Sequence, residues 1–171
     1  MRFIYLSTTS EPEYETKEST INSFKEYLGG EYNFHITERK IDKNKFNVGE
    51  DIFFLRAEKE FGYYTYKIVA YCRSSSRIEE TNDGGDYPYY FKINPDTLKI
   101  FIEGIDVKYF QNFVNDPNNN ISSVNFTGSI NNNKFTGSQS WIYFDKNDSV
   151  KIMEWFRKVI IEEDIQMLCN L

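Results

Sequence analysis

The side chains able to carry out nucleophilic, acid–base or metal chemistry are few and scattered in this sequence. His35 is the only histidine, and Cys72 and Cys169 are the only cysteines. With no second histidine and no clustered cysteines, neither a zinc site nor a Ser-His-Asp relay can be assembled. The acidic segments 11–15 and 162–164 are accompanied by no second acid–base or metal-binding group. We therefore interpret them as solvent-exposed surface. No phosphate loop or dinucleotide fingerprint is present either, and no cofactor is expected.

A polar loop beside a tryptophan is a candidate for ligand binding. Ser138 and Gln139 belong to the segment 137–140, which directly precedes Trp141. This loop can offer backbone and side-chain hydrogen-bond donors next to an indole, which is a flat surface for stacking. In the binding interpretation, Gln139 recognises the edge of a base while Trp141 stacks on it. In the structural interpretation, Trp141 starts a strand and fills the core beneath the last helix.

Two arginines end the two strands of a predicted central hairpin. A guanidinium at Arg56 or Arg73 could bind a phosphate through two hydrogen bonds. The acidic residues close to them in sequence are Glu58, Glu60, Glu79 and Glu80. Solvated ion pairs with these glutamates are therefore the alternative to phosphate binding.

The composition limits the classes of partner. The net charge is −6, whereas a protein that binds long stretches of DNA usually carries a net positive charge. A local basic patch can still support capture of a single base. The two cysteines indicate free thiols in a reducing compartment, and the sequence contains no signal peptide and no apolar run of membrane length. We therefore expect a cytoplasmic protein that does not bind membranes.

Aromatic residues make up 18% of the chain and favour strands. The segments Ile52–Leu55 and Tyr63–Arg73 are joined by a charged, glycine-containing link, which predicts a β-hairpin. Neither segment alternates cleanly between apolar and polar residues. Both faces are therefore expected to be covered, as in a small closed barrel.

Further strands are predicted on both sides of this hairpin. Arg2–Thr8 is predicted to be a first strand, with Phe3 and Ile4 on opposite faces. A second hairpin is predicted from residues 87–102, with its turn at 94–97. The last strand is expected at Trp141–Phe144.

Three helices are predicted to flank the strands. The first begins at Ser19 or Thr20 and ends before the glycine pair at 29–30. The second is capped by Asp106, and the apolar face assigned to it consists of Tyr109, Phe110, Phe113 and Val114. The third is a closing helix capped by Asn147 or Asp148. The expected fold class is α+β, a small barrel of mixed and antiparallel strands flanked by about three helices.

Four stretches of the chain carry a resemblance to a known superfamily. They are the strand Arg2–Thr8, a Gly-acidic turn before an apolar strand at 49–54, the paired strand ending at 67–71, and the order of strand, short helix, Gly-Ser-Gln-Ser loop and closing helix across 89–156. In this order of elements the chain resembles the PUA-like superfamily, particularly its EVE and YTH-like branches. The resemblance covers most of the chain and implies a single domain over residues 1–171.

The resemblance implies a nucleic-acid-binding function. Such domains hold one flipped or single-stranded base, often a modified one, in an aromatic pocket, as in modification-dependent restriction or phage defence. The predicted base-binding residues are Tyr5, Ser7, Tyr71, Ser138, Gln139 and Trp141. For the tyrosines, partial burial in the barrel wall is the structural alternative. An effector protein would be needed to convert recognition into cleavage or signalling.

Two other functions stay open at this point. One is a non-catalytic sink for a small nucleotide signal, or an inhibitor that binds a protein in phage–host conflict, which suits the acidic composition better than duplex binding does. The other is an enzyme, such as a nucleoside hydrolase, which lacks a visible acid–base cluster.

Overall fold

A computed structural model of the chain describes residues 1–5, 32–36, 46–60, 63–81, 87–121, 130–131, 134–135, 141–162 and 167–169. The fold in these residues is α+β, with a curled mixed β-sheet and two α-helices. The expected number of about three helices is therefore not confirmed, and the helix predicted between residues 19 and 28 lies outside the described residues.

The secondary structure follows the chain in this order. The strands are β1 (Arg2–Tyr5), β2 (Asn33–Ile36), β3 (Asp51–Glu60), β4 (Tyr63–Ser74), β5 (Glu79–Glu80), β6 (Tyr89–Asp106), β7 (Ile130–Asn131), β8 (Lys134–Phe135), β9 (Trp141–Tyr143) and β10 (Met167–Cys169). The helices are α1 (Val107–Asn115) and α2 (Lys146–Glu162), and a 3-10 turn lies at Pro117–Asn119.

The main sheet has the strand order β10-β6-β4-β3-β1-β9. Strands β1 and β3 are parallel, and the other pairs along this path are antiparallel. Strands β2 and β5 pair with the first part of β6, beyond the segment of β6 that pairs with β4. The sheet therefore curls over one of its own faces and is barrel-like.

The predicted central hairpin is confirmed, since β3 and β4 pair as antiparallel neighbours. Consecutive residues of one strand enter two separate cores, as Phe53 and Phe54 do on β3. The sheet lies between these cores, so both faces are covered and the strands need no polar face. A bulge in β4 places Val69 and Ala70 in the same core although they are adjacent in sequence.

We call the two cores the helix-side core and the barrel-side core. The helix-side core contains the buried residues Met1, Phe3, Phe53, Leu55, Tyr66, Ile68, Tyr71, Phe101, Ile105, Val107, Phe110, Phe144, Ile152 and Phe156. The barrel-side core contains the buried residues Ile4, Phe34, Ile36, Phe46, Ile52, Phe54, Val69, Ala70, Cys72, Tyr89, Phe91, Ile93, Leu98 and Ile100.

A ladder of aromatic rings crosses the helix-side face of the sheet. Phe3, Phe53 and Tyr71 occupy one register row on β1, β3 and β4, and neighbouring ring centroids are 5.0 and 5.1 Å apart. Phe156 of α2 packs edge-on against Phe53 at 4.5 Å. Much of the aromatic content in this region therefore serves core packing, where aromatic contacts add to the gain from burial.

The predicted second hairpin is wrong, because residues 89–106 form one continuous bent strand. Opposite β4, the pairing passes directly from Lys99 to Asn94, so the residues between them form a bulge rather than a reversal. The Oδ1 atom of Asn94 accepts from the backbone N–H of Asp96 at 3.1 Å, and Thr97 Oγ1 donates to the Asn94 carbonyl at 2.8 Å. These turn-type bonds bend the strand without ending it.

The predictions for the second and third helices need small corrections. Asp106 caps α1 as predicted, its carboxylate accepting from the N–H of Lys108 at 2.7 Å. Tyr109, which was assigned to the apolar face, is 54% exposed, whereas Phe110 is fully buried. For α2, the carboxylate of Asp145 accepts from the N–H of Asp148, so the cap lies earlier than predicted.

Candidate functional site

The sheet brings two of the predicted binding residues to adjacent strand ends. Strand β9 runs antiparallel to β1, so the end of β1 at Tyr5 lies next to the beginning of β9 at Trp141. In register, Trp141 pairs with Ile4, and Tyr5 pairs with Leu55 of the parallel strand β3. Neighbouring strands are about 5 Å apart, so these backbones are in direct contact. We call this region the β1 end of the sheet.

The remaining predicted binding residues, Ser7, Ser138 and Gln139, belong to the two chain segments next to the β1 end. Ser7 follows Tyr5 by two residues, and Ser138 and Gln139 come shortly before Trp141. Ser7, Ser138 and Gln139 lie outside the described residues, as do the side chains of Tyr5 and Trp141. The described backbone shows that β1 leads into the first segment and that the second segment leads into β9, from neighbouring positions.

A buried arginine lies beside this region. Arg56 directly follows Leu55 on β3 and is only 5% exposed, and it pairs in register with Lys67 of β4. A charged side chain at this depth must be compensated by acceptors, because an isolated buried charge is strongly unfavourable. Tyr66 is 8% exposed on the neighbouring strand. Arg56 and Tyr66 face opposite sides of the sheet, since Tyr66 belongs to the helix-side core together with Leu55, the neighbour of Arg56.

The other predicted tyrosine and arginine lie elsewhere. Tyr71 is separated from Trp141 by β3 and β1, which corresponds to about 14 Å across the sheet. Arg73 pairs with Asp51, which precedes Arg56 by five residues on β3, or about 17 Å along a strand. The structure therefore places Tyr5 next to Trp141 in the backbone and Arg56 two strands from Trp141, and it leaves Tyr71 three strands away and Arg73 at the other end of β3.

Tyr71 and Arg73 share one carboxylate. The Tyr71 hydroxyl donates to Asp51 Oδ1 at 2.6 Å, and Arg73 Nε donates to the same oxygen at 2.9 Å. The Tyr71 ring is 7% exposed, with Phe53 and Phe156 against it at 5.1 and 6.1 Å. In this structure the Tyr71 ring is part of the helix-side core, and its hydroxyl reaches the surface.

The environment of this cluster shifts two proton equilibria. Burial is the main cause that raises the pKa of Tyr71 above its usual range, and the hydrogen bond to Asp51 adds to it. The hydrogen bond to Asp51 is the main cause that raises the pKa of Arg73. Both side chains therefore keep their protons at neutral pH, and neither is prepared to act as a general base.

Sequence reasoning missed the role of the two consecutive acidic residues before β3. Asp51 faces Arg73, whereas Glu50 is 8% exposed and forms an ion pair with the buried Arg2 at 2.9 Å. Glu50 also accepts from the N–H of Asn47 at 3.1 Å and so closes the turn before β3. Because side chains alternate along a strand, the sequence could have suggested that Glu50 and Asp51 point to opposite faces of the sheet. It could not have identified their arginine partners, which are set by the pairing of distant strands.

Other kinds of site find no support in the described part of the chain. No group of three or more His, Cys, Asp and Glu side chains there is arranged to hold a metal ion. Cys72 is a free, fully buried thiol, and burial raises its pKa well above the usual value, so it stays protonated and unreactive. None of the described helices is long and apolar enough to cross a membrane.

Comparison with known proteins adds no family assignment: no protein-family model matches the chain, and no curated protein matches it significantly.

Proposed function

We propose that this protein is a nucleic-acid-binding module with a PUA-like barrel that captures one flipped or single-stranded base at the β1 end. Trp141 provides the aromatic surface on which the base stacks, Tyr5 belongs to the neighbouring strand end, and Ser7, Ser138 and Gln139 contact the polar edge of the base. Arg56 binds a phosphate or a carbonyl oxygen of the same nucleotide. Recognition of a modified base in modification-dependent restriction or phage defence is the setting that the resemblance implies.

The observation that carries this proposal is the adjacency of Tyr5 and Trp141 in the sheet. The backbones of two aromatic residues from distant parts of the sequence lie side by side where one strand ends and its neighbour begins, since Trp141 pairs with Ile4, the residue before Tyr5. Stacking of a base on an aromatic ring contributes about 1–3 kcal/mol. Hydrogen bonds to the edge of the base then give selectivity, because a site built for them rejects bases that leave buried groups unpaired.

The buried guanidinium of Arg56 supports the same location. Arginine carries five N–H donors, and its planar fork suits phosphate oxygens or the acceptor edge of a base. Donors held by a rigid strand also lose less conformational freedom on binding than donors on a mobile surface chain. The barrel-like curl of the sheet agrees with the fold that the resemblance implies.

The two tryptophans allow a direct test. Trp155 packs against Phe110 and Phe113 with ring centroids at 5.3 Å, against the helix-side core. In a Trp155→Phe variant, Trp141 is the only indole left. Nucleosides and mononucleotides, both unmodified and methylated, are titrated against it. Stacking of the preferred base is expected to quench the Trp141 fluorescence in a saturable manner.

The matched control is Trp141→Phe, which retains Trp155. Its fluorescence is expected to stay constant when the same ligands are added, and its affinity for them is expected to fall. A ligand that binds by calorimetry without changing the emission of Trp141 would remove this residue from the site. If no compound of the panel binds the Trp155→Phe variant or the wild type, base capture is wrong.

The net charge of −6 favours a second candidate, a sink for a free nucleotide signal. A long nucleic acid is repelled by an acidic protein, whereas a small nucleotide needs only a local site. Thermal stabilisation by free nucleotides, without any gain in affinity for oligonucleotides, would favour this second function.

A further inference from the structure

The outer surface of the three-stranded part of the sheet formed by β5, β6 and β2 carries a row of polar and aromatic side chains. In register, Glu79 of β5 lies opposite Tyr90 of β6, and Tyr90 lies opposite His35 of β2. The alternating residues Phe34 and Phe91 are buried in the barrel-side core. Because side chains alternate between the two faces of a strand, Glu79, Tyr90 and His35 share the outer face.

The two rings of this row are in tilted contact at the surface. The centroids of His35 and Tyr90 are 5.6 Å apart, with an angle of 32° between the ring planes. His35 is exposed. Tyr90 is half-buried beside it. Together they form an aromatic surface with one accessible ring.

Hydrogen bonding fixes the orientation of this surface. The Tyr90 hydroxyl donates to Glu79 Oε2 at 2.7 Å, and this bond is the main reason why the pKa of Glu79 lies below its usual value. Lys92 also lowers that pKa through its charge. The Glu79 carboxylate thus accepts a hydrogen bond from the Tyr90 hydroxyl and interacts electrostatically with the Lys92 ammonium group. A pre-oriented ring binds a planar ligand at a smaller entropic cost than a mobile one.

The barrel-side core separates this row from the proposed base pocket. Phe34, the neighbour of His35 on β2, packs inward with its ring 5.0 Å from that of Phe54. Phe54 belongs to the register row of Ile4 and Trp141. The outer face of β2 is therefore about one packed-sheet distance, about 10 Å, from β3, and Trp141 lies two strands further along this row, about another 10 Å across the sheet. A single strand of about four nucleotides or more can span such a distance.

We propose that the surface formed by His35, Tyr90 and Lys92, which we call the His35 platform, binds the nucleotides that flank the captured base in the same single strand. One flanking base stacks on His35, and the ammonium group of Lys92 neutralises an adjacent phosphate. Arg77, exposed two residues before Glu79, adds a second cation on this side. This proposal rests on the proposed function, and it extends that function from a single base to a short strand.

The test compares ligands of different length. Affinities for dAMP and TMP, and for oligo(dA) and oligo(dT) of about 4 and 12 nucleotides, are measured by calorimetry and fluorescence anisotropy at one salt concentration. The wild type is expected to bind the oligonucleotides more tightly than the mononucleotides. The His35→Ala variant is expected to lose about 5- to 150-fold in affinity for the oligonucleotides, as expected for one stacked base. Its mononucleotide affinity is expected to equal that of the wild type.

The matched control is His35→Phe, which keeps an aromatic ring at the same position. It is expected to retain most of the oligonucleotide affinity, whereas a purely structural role of the imidazole would make Phe and Ala equally harmful. Lys92→Ala is expected to reduce the slope of log K against log salt by about 0.7, the value for one phosphate contact on a single strand. Because His35 and Lys92 are exposed, the unfolding midpoints of these variants are expected to stay near that of the wild type.

Failure of each proposal is recognised separately. A His35→Ala variant with the oligonucleotide affinity of the wild type overturns the His35 platform. A Trp141→Ala variant with unchanged mononucleotide affinity overturns the proposed base pocket. The His35 platform is then tested independently by comparing the oligonucleotide affinities of the wild type and the His35→Ala variant.

Discussion

The hydroxyl of Tyr71 donates a hydrogen bond to Asp51 Oδ1 at 2.6 Å, from the end of a ring that is otherwise enclosed in the helix-side core. This bond connects the core to the surface of the β3–β4 hairpin. Asp51 is also the partner of Arg73, which donates to the same oxygen. The tyrosine that was predicted to line a base pocket is therefore tied to a structural cluster in the described structure.

The Tyr71→Phe variant is expected to be less stable at neutral pH by about 1.5–3 kcal/mol, because a hydrogen bond to a charged group is lost while the ring remains. The pKa of Tyr71 is raised in the folded state from its ordinary value of 10.0. The unfolded chain therefore releases the proton first as the pH rises. The stabilisation is complete below about pH 10 and declines above it, by about 1.4 kcal/mol per pH unit.

This decline is measured as the difference in free energy of unfolding between wild type and Tyr71→Phe from pH 8 to 11, in urea. The other tyrosines ionise in both proteins and cancel in the difference. A difference that stays constant across this range would show that the hydroxyl is not held by the folded structure. Base binding is expected to be the same in both proteins, since Tyr71 lies outside the β1 end.

The two arginines predicted to bind phosphate are expected to behave differently. Arg56→Gln at the β1 end should reduce the affinity for the preferred nucleotide by about 10- to 150-fold, the range for a hydrogen bond to a charged group. Arg73→Gln should leave that affinity unchanged, because Arg73 is engaged by Asp51 about 17 Å away along the strand. Calorimetric titration of both variants checks this, with thermal unfolding to confirm that each is folded. Equal losses in both variants would exclude a site confined to the β1 end.

The Arg2–Glu50 ion pair is expected to be strongly coupled. Both side chains are almost completely buried, so removing one charge leaves the other in a poorly solvating environment. Arg2→Met and Glu50→Gln are each expected to cost about 3–5 kcal/mol in free energy of unfolding. Glu50→Gln retains an oxygen for the N–H of Asn47, which keeps the turn hydrogen bond.

The double variant provides the measurement for this pair. Its loss of stability in chemical denaturation is expected to be smaller than the sum of the two single losses by about 1–3 kcal/mol. Strict additivity would mean that the two charges do not interact in the folded protein.

Two glycines with positive φ angles form a matched pair for testing backbone strain. Gly104 has φ of +71°, and a Cβ atom there would lie 2.9 Å from the Cβ of Lys67 on the neighbouring strand. Gly49 has φ of +80°, and a Cβ atom at this position would meet no neighbouring atom within 4 Å. Gly49→Ala is expected to cost about 1–2 kcal/mol from backbone conformation alone. Gly104→Ala should cost more, because β6 must also move away from β4.

Urea denaturation of both alanine variants measures this difference. If Gly104→Ala is no less stable than Gly49→Ala, the close approach of β6 and β4 at Lys67 does not contribute to the cost.

Local sequence patterns predicted the elements whose signals lie close together in the chain. The β3–β4 hairpin follows from two runs of apolar and aromatic residues with a polar link, and α1 follows from the capping carboxylate of Asp106. The expectation that both sheet faces are covered was also correct, since Phe53 and Phe54 enter different cores. These features depend on residues that are close to each other in the sequence.

Other features required the tertiary structure, because they depend on contacts between distant segments. Asn94 and Thr97 form turn-type hydrogen bonds, but β6 continues through them since the same strand, β4, pairs with residues on both sides of this bulge. The arginine partners of Glu50 and Asp51 likewise follow from strand pairing and not from nearby glutamates.

The sequence by itself determined which residues have the chemistry for stacking and for anion binding, because that chemistry belongs to the side-chain types. Only the tertiary structure decided which of them are neighbours: Tyr5 meets Trp141 through the antiparallel pairing of β1 and β9, while Tyr71 is held two strands away. The same applies to His35, whose exposure follows from the burial of Phe34 on the opposite face of β2. A one-residue change of register would exchange the two faces, and register is set by long-range packing.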